Sequence, residues 1–155
     1  MTTLAPLTAD DREDWVTLWH GYLEFYEEEL SQAQTELTFA RLIDAAYPIH
    51  GVLARNDSGT AVGLVHWLTH PATWSDGPYC YLEDLFVSTD SRGGGAGAAL
   101  IEHVRAWAQG AGCSKVYWLT QHDNDTARRL YDRVARHSGF VQYEIELSGS
   151  GADAS

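Results

Sequence analysis

Residues 81–101 read YLEDLFVSTDSRGGGAGAALI and join three signals in one stretch. An apolar run that carries two adjacent carboxylates, Glu83 and Asp84, predicts a strand. A polar turn, Arg92 and a cluster of glycines follow, and an amphipathic helix begins at once. Free backbone N–H groups and the positive end of the helix dipole converge at a helix N-terminus. A glycine-rich turn at this point therefore favours the binding of an anion such as phosphate.

The length of the chain, 155 residues, indicates one domain. We predict a single domain over residues 1–147 and a disordered tail over residues 148–155, which are rich in Gly, Ser and Ala. No apolar run approaches the roughly 20 residues that span a bilayer, and the N-terminus lacks the pattern of a signal peptide. The two cysteines, Cys80 and Cys113, form no disulfide framework, which predicts free thiols in a reducing cytoplasm.

The formal net charge of −12 bears on the partner. It argues against nucleic acid, because binding phosphates requires a basic face. It is compatible with a cationic substrate, although acidity that serves only solubility is an equal alternative. The seven histidines show no metal-ligand spacing, since His66 and His70 are four apart but on a predicted strand. We therefore predict no metal and no membrane or nucleic-acid partner.

The hydrophobic pattern predicts the order of elements along the chain. An edge strand (2–7) precedes two helices, the first of which carries Trp15, Tyr22 and Tyr26 at helical spacing. A hairpin follows, then the strand 79–87, the helix 95–110, the strand 115–120, the helix 126–138 and a last strand, 140–147. The second half contains a parallel β-helix-β crossover, and the first half allows antiparallel pairing. The predicted fold class is α/β, with a mixed sheet of about six strands flanked by four helices.

The glycine cluster has several possible interpretations. A Walker P-loop needs Lys-Ser/Thr after its last glycine, but Gly97 is followed by Ala98-Ala99. Gly93-x-Gly95-x-x-Ala98 formally matches the dinucleotide fingerprint, yet no acidic residue ends the next strand about 20 positions on. A tight turn without a ligand is disfavoured because consecutive glycines carry an entropic cost.

Three segments resemble the Gcn5-related N-acetyltransferase (GNAT) family. Residues 92–97, RGGGAG, resemble its Arg/Gln-x-x-Gly-x-Gly/Ala loop, which holds the pyrophosphate of acetyl-CoA. The strand 82–87 resembles that of the diamine acetyltransferases, and residues 124–131 are similar to the family's Asn-x-x-Ala-x-x-x-Tyr segment. The helix after Tyr131 runs longer than in the animal diamine enzymes. In the length of this helix, the chain looks more like the branch of the family that contains fungal histone, polyamine and D-amino-acid acetyltransferases.

The resemblance implies a GNAT fold with acetyl-CoA as cosubstrate, held by residues of the strand, the glycine loop and the later helix: Leu85, Phe86, Val87, Arg92, Gly93, Gly94, Gly95, Ala96, Gly97, Ala98, Asn124, Ala127 and Tyr131. It also implies that the strand 79–87 splays from its neighbour at the site. Tyr131, whose spacing alone indicates the core, would be the general acid to the leaving thiolate. Glu83 would take the proton of the amine. Strand alternation places Glu83 and Asp84 on opposite faces, so we expect no dyad.

The activity implied is transfer of the acetyl group from acetyl-CoA to a primary amine in a ternary complex. The acidic end of the first helix suggests that Tyr26 and Glu27, with Glu83 and Asp84, border a small cationic acceptor, either a polyamine or an amino-acid-like molecule. A protein or peptide amine and a non-catalytic acyl-CoA-binding module stay open. Family habit implies a homodimer.

Overall fold

The structure is a computed structural model that describes residues 1–147. The tail predicted for residues 148–155 lies outside the described residues. In these residues, five strands and four α-helices follow one another in this order: β1 (Thr3–Pro6), α1 (Arg12–Phe25), α2 (Gln32–Leu42), β2 (His50–Arg55), β3 (Ala61–His70), β4 (Tyr79–Val87), α3 (Ala96–Gly110), β5 (Lys115–Tyr117) and α4 (Asp125–Val134). None of these helices is both long and apolar enough to cross a membrane.

The strands form one sheet in the order β1-β2-β3-β4-β5. The first three pairs are antiparallel, and β4 pairs with β5 in parallel. The chain crosses from β4 to β5 through α3, as the β-helix-β pattern predicts. The predicted mixed α/β fold with four helices is therefore confirmed.

Alternation along the strands divides the core between the two faces of the sheet. Val52 and Val65 face α3 and pack with Leu100. Their neighbours Leu53 and Leu64 face the other side, where α1 and α2 cover them. Each fully buried side chain of this size contributes about 1.5–3 kcal/mol. Both faces are covered, which leaves the ends and edges of the sheet for a site.

The predicted sixth strand is wrong for the single chain. Residues 140–147 have no ladder partner among the described residues and are exposed throughout. Their alternating pattern supplies strand propensity, but a strand also needs a neighbouring edge to pair with. α4 likewise ends at Val134 rather than at residue 138, because Ala135 adopts an extended conformation (φ −151°, ψ −177°).

α1 ends earlier than its apolar spacing predicts. The helix stops at Phe25, and Glu27 adopts the left-handed conformation with φ 56°. The N–H of Glu28 donates to the carbonyl of Leu23 at 2.9 Å, which closes the helix end. Glycine is the usual residue at this position, so a glutamate here is strained. The strained turn brings the end of α1 beside β4.

Candidate functional site

β4 and β5 separate after a short paired segment. They pair only from Tyr79 with Lys115 to Tyr81 with Tyr117, although β4 continues to Val87. From residue 82 to residue 87, β4 has β3 on one side and no strand of residues 1–147 on the other. The backbone of Leu85, Phe86 and Val87 therefore faces an opening in the sheet, which is the splay that the resemblance implies.

The glycine loop lies at the end of this opening and leads into α3. Gly93 and Gly95 have φ of 90° and 88°, values that only glycine adopts without strain. The first-turn N–H groups of Ala96, Gly97 and Ala98 donate to no backbone carbonyl of the described chain. A Cβ at Gly97 would approach Leu130 Cδ2 to 3.1 Å. The loop thus offers free donors at a helix N-terminus and lets α4 pack closely behind it.

Arg92 lies across the junction between β4 and α1. Its Nε donates to the carbonyl oxygen of Val87 at 3.2 Å, and its guanidinium carbon is 5.5 Å from the ring centre of Phe25. The side chain therefore spans from the end of α1 to one of the carbonyls predicted to contact the cosubstrate.

A β-bulge interrupts the pairing of β4 at the two adjacent carboxylates. His66 pairs with Asp84 and Trp67 pairs with Leu82, so Glu83 is an extra residue opposite the pair. Leu82 packs on the α3 side, whereas Asp84 bonds His66 on the α1 side. The prediction that Glu83 and Asp84 lie on opposite faces depends on regular alternation, which the bulge interrupts, so it stays a prediction.

Burial and the charge of Asp84 affect the protonation of Glu83. Burial, and then the neighbouring charge of Asp84, raises the pKa of Glu83 above its ordinary value. Glu83 is an exposed residue, although the surrounding protein atoms disfavour its charged form. A glutamate with a raised pKa next to an open site is suited to accept a proton.

Asp84 is held by a buried hydrogen-bond chain. The indole Nε1–H of Trp15 donates to His66 Nε2 at 3.0 Å, and His66 Nδ1 lies 2.9 Å from Asp84 Oδ2. Since the indole can only donate, His66 Nε2 must accept, and Nδ1–H donates to the carboxylate. Trp15 and His66 are both buried. The tautomer of His66 and the direction of Asp84 are thus set from the core.

Two tyrosines of α1, one turn apart, face the same carboxylate. Burial and then Asp84, which also accepts a hydrogen bond, raise the pKa of Tyr22. Burial followed by the charge of Asp84 likewise raises the pKa of Tyr26. The ring centres of Tyr22 and Tyr26 are 5.0 Å apart. Both phenols therefore stay protonated and can donate or present a ring face to a cation.

Tyr131 on α4 reaches the same region. Burial, with a smaller contribution from Tyr26, raises the pKa of Tyr131 to about 12. Its ring packs edge-on against Trp118, with ring centres 5.4 Å apart. The structure therefore brings Tyr131 and Tyr26 together, with Asp84 beside Tyr26.

Asn124 and Ala127 begin α4. The Asn124 side chain accepts the N–H of Ala127 at 3.4 Å and so caps the helix. Glu27 is exposed and shows no side-chain hydrogen bond within residues 1–147. The structure thus gives Asn124 a structural task, and no side-chain hydrogen bond links Glu27 to the other predicted site residues within residues 1–147.

Sequence reasoning missed two side chains of this region, Tyr22 and His66. The helical spacing of Tyr22 predicts only an apolar face of α1, although Tyr22 lies four residues before Tyr26 and so shares its face. The spacing of His66 and His70 bears only on metal binding, whereas a polar residue inside the apolar run of β3 indicates a buried hydrogen bond. In residues 1–147, no three His, Cys, Asp or Glu side chains cluster as metal ligands.

Comparisons with known proteins agree with this geometry. The model of the acetyltransferase (GNAT) family matches residues 15–135. The D-amino-acid N-acetyltransferase HPA3 of Saccharomyces cerevisiae is 36% identical over 135 residues, which cover 86% of this chain and 84% of that protein. The uncharacterized N-acetyltransferase YhfO of Bacillus subtilis is 26% identical over 84% of this chain and 87% of its own length.

Solved structures show the same fold at low sequence identity. AAC(6')-Iy, in complex with the bisubstrate analog CoA-S-monomethyl-acetylneamine, superposes with a TM-score of 0.80 at 17% identity, and 95% of this chain and 99% of that chain are covered. The ribosomal-protein-alanine N-acetyltransferase of Brucella melitensis superposes with a TM-score of 0.75 at 22% identity, over 95% and 100% of the two chains.

Proposed function

The chain belongs to the acetyltransferase (GNAT) family, and from this we propose that it transfers the acetyl group of acetyl-CoA to the primary amine of a small cationic acceptor, either a polyamine or an amino-acid-like molecule. One observation carries the proposal. Glu83, Asp84 and the tyrosines Tyr22, Tyr26 and Tyr131 converge at the open side of β4, next to the glycine loop.

The open side of β4 and the glycine loop fit acetyl-CoA. Apart from the residues adjacent in the chain, no atom of residues 1–147 lies within 4 Å of the positions that a Cβ at Gly93 or Gly95 would take, so the loop has room on its outer side. The N–H groups of residues 92–98 would bind the pyrophosphate. The backbone of Leu85, Phe86 and Val87 would pair with the pantetheine arm, and Asn124 and Ala127 would border it. When bound, acetyl-CoA supplies an acetyl group activated as a thioester.

The carboxylates prepare the acceptor amine. An alkylamine has a pKa of about 10.4, so only about one molecule in a thousand is neutral and nucleophilic near pH 7. Asp84, oriented by His66, and the ring faces of Tyr22 and Tyr26 would hold the ammonium. Glu83, whose pKa is raised, would take the proton directly or through water. An N–H near Leu85 would stabilise the oxyanion.

Tyr131 would act as the general acid. With a pKa of about 12, its hydroxyl keeps its proton throughout the physiological range. It can therefore donate that proton to the departing thiolate, which needs one if it is to leave as a thiol.

The first test is release of CoA thiol from acetyl-CoA with a panel of acceptors: polyamines, D- and L-amino acids, and lysine-containing peptides. We expect thiol release with a small cationic amine, because the proposed acceptor region is acidic. Release only with peptides would move the proposal to a protein amine. No release with any amine, together with tight acetyl-CoA binding, would favour a non-catalytic acyl-CoA-binding module.

The second test replaces the proposed acid. We expect Tyr131→Phe to lower kcat by about 100-fold or more, because general acid catalysis contributes about 10²–10⁴-fold, and to leave acetyl-CoA affinity unchanged. Tyr47→Phe is the matched control, since Tyr47 packs under Arg41 after α2. Single-turnover kinetics with Tyr131→Phe at the wild-type rate would remove Tyr131 from the acid role. The cytoplasmic location, the homodimer and the absence of metal and nucleic acid stay predictions from the sequence.

A further inference from the structure

An aromatic row of Tyr79, Tyr81 and Tyr117 lies on the sheet beside the proposed acceptor region. Cys80 and Leu82 pack on the α3 side of β4, so Tyr79 and Tyr81 lie on the other face. On that face, the core that α1 and α2 form contains no residue of β5 or of the paired start of β4 within residues 1–147. All three tyrosines keep part of their surface accessible. The aromatic row is therefore open to a ligand.

His70 fixes the middle of the aromatic row. The rings of Tyr81 and Tyr117 stack with centres 5.0 Å apart and planes 23° apart. His70 Nδ1 lies 2.8 Å from the carbonyl oxygen of Pro71, which can only accept, so Nδ1 carries a proton. In the neutral ring, Nε2 then accepts a hydrogen bond from the Tyr117 hydroxyl at 2.9 Å. The Tyr117 ring is thus held in place and supports one face of Tyr81.

The two ends of the aromatic row carry opposite charges. Burial, and then the charges of Glu83 and Asp84, raise the pKa of Tyr81, which places that ring beside the two carboxylates. At the other end, the ammonium of Lys115 is 4.1 Å from the ring centre of Tyr79. Lys115 is exposed and forms no ion pair with a carboxylate of residues 1–147. It pairs with Tyr79, four residues before Glu83, so the charged ends lie about 13 Å apart along β4.

This distribution of charge discriminates between the ends of possible acceptors. With the reacting amine at Glu83, the rest of an elongated acceptor lies along the ring faces of Tyr81 and Tyr117, which pack well against methylene groups. A carboxylate at the far end meets the unpaired ammonium of Lys115, whereas a second ammonium there meets a like charge. The aromatic row therefore suits a chain with an amine at one end and a carboxylate at the other.

We propose that Tyr81, Tyr117 and Lys115 form a subsite for the non-reacting end of the acceptor, which selects a chain that ends in a carboxylate over one that ends in a second ammonium. The inference rests on the proposed function, because the reacting amine is placed at Glu83. Of the two acceptor classes in that proposal, it favours the amino-acid-like molecule over the polyamine.

The test uses three amines that share a six-carbon chain and a primary amine: hexylamine, hexamethylenediamine and ε-aminocaproate. They differ only in the charge of the far end. Lys115→Glu should raise the ratio of kcat/KM for the diamine to kcat/KM for ε-aminocaproate by about tenfold or more, because each exposed charge pair near contact distance is worth about fivefold. The change should shrink at high salt, which screens exposed charges.

Arg41→Glu is the matched control. Arg41 also lies over a tyrosine ring, 4.7 Å from the ring centre of Tyr47, but beyond the acceptor region at the end of α2. The same reversal of charge there should leave the ratio of the two acceptors unchanged. An unchanged ratio in Lys115→Glu, or an equal change in Arg41→Glu, would overturn the proposed subsite.

The length of the acceptor tests the ring faces. Ethylamine is too short to reach from Glu83 along the aromatic row, whereas hexylamine is long enough. Tyr117→Leu removes the stacked ring behind Tyr81 and should lower kcat/KM for hexylamine about tenfold more than for ethylamine. Equal losses with the two amines would show a general effect on the site and would overturn the role of the rings.

Binding measurements separate this inference from the proposed function. Isothermal titration of the three six-carbon amines into the enzyme–CoA complex requires no turnover. If the wild type binds ε-aminocaproate more tightly than the diamine and Lys115→Glu reverses that order, the subsite is supported even where no amine releases thiol, a result that would overturn only the acetyl transfer. If the wild type releases thiol but shows the same order of binding as Lys115→Glu, the subsite is wrong and the proposed function stands.

Discussion

Two tryptophans on α1 have similar surroundings but different hydrogen bonds. Trp15 and Trp19 lie one turn apart and stack with ring centres 5.5 Å apart, and both are buried in the same cluster. The indole N–H of Trp15 donates to His66, whereas that of Trp19 is buried without a hydrogen-bond partner in residues 1–147. Replacement by phenylalanine removes the same atoms at each position, so the pair isolates the value of the hydrogen bond.

We expect Trp15→Phe to be more destabilising than Trp19→Phe by about 2 kcal/mol. Trp15→Phe leaves His66 Nε2 buried without a donor, and an orphaned buried group costs about 1–3 kcal/mol. Trp19→Phe removes a donor that is already unsatisfied, so it loses only packing. For a chain of this size, 2 kcal/mol corresponds to a difference in Tm of about 4–8 °C.

Urea unfolding followed by far-UV circular dichroism measures both variants under the same conditions. Equal free energies of unfolding for the two variants, or a less stable Trp19→Phe, would refute the assignment of the hydrogen-bond chain. The ¹⁵N chemical shifts of His66 give an independent measurement, since the wild type should show the tautomer with the proton on Nδ1. Trp15→Phe should weaken that preference, because it removes the donor that occupies Nε2.

Other substitutions test the open side of β4 and the glycine loop. If Glu83 takes the amine proton, kcat/KM should rise as pH passes through the raised pKa of Glu83. Glu83→Gln should remove this acid limb of the pH–rate profile. A profile unchanged by the substitution would exclude Glu83 as the base. Because the pKa of Glu83 is raised on folding, the folded state binds this proton more tightly than the unfolded state, and the free energy of unfolding falls as pH rises through the folded pKa. Between pH 4 and pH 8, Glu83→Gln should therefore lose less stability than the wild type, as measured by denaturation. Gly95→Ala should cost about 1–2 kcal/mol because φ is 88°, and it should weaken acetyl-CoA binding by calorimetry, whereas Gly110→Ala at the other end of α3 should be neutral or slightly stabilising. Comparable losses in the two glycine variants would contradict the special role of the loop.

The fold class and the glycine loop were predictable because their signals are local. Hydrophobic periodicity predicted the four helices and five of the strands, and the run RGGGAG predicted a turn with positive φ before α3. Helix ends were less predictable. Glu27 adopts a left-handed conformation that glutamate disfavours, and Ala135 adopts an extended conformation that alanine does not require. Contacts outside each helix decide where it stops.

The chemistry-bearing residue types and their order along the chain were present in the sequence: Tyr26 on α1, Glu83 and Asp84 on β4, and Tyr131 on α4. Their convergence depends on long-range pairing. The bulge at Glu83 arises from the register of β3 with β4, and it interrupts the simple alternation that the sequence predicts for these two neighbouring carboxylates. The link from Trp15 through His66 to Asp84 joins three elements, and no local pattern specifies it. Long-range pairing also decides whether residues 140–147 form a strand. Their alternation gives them strand propensity, but pairing requires an edge that another part of the fold must provide.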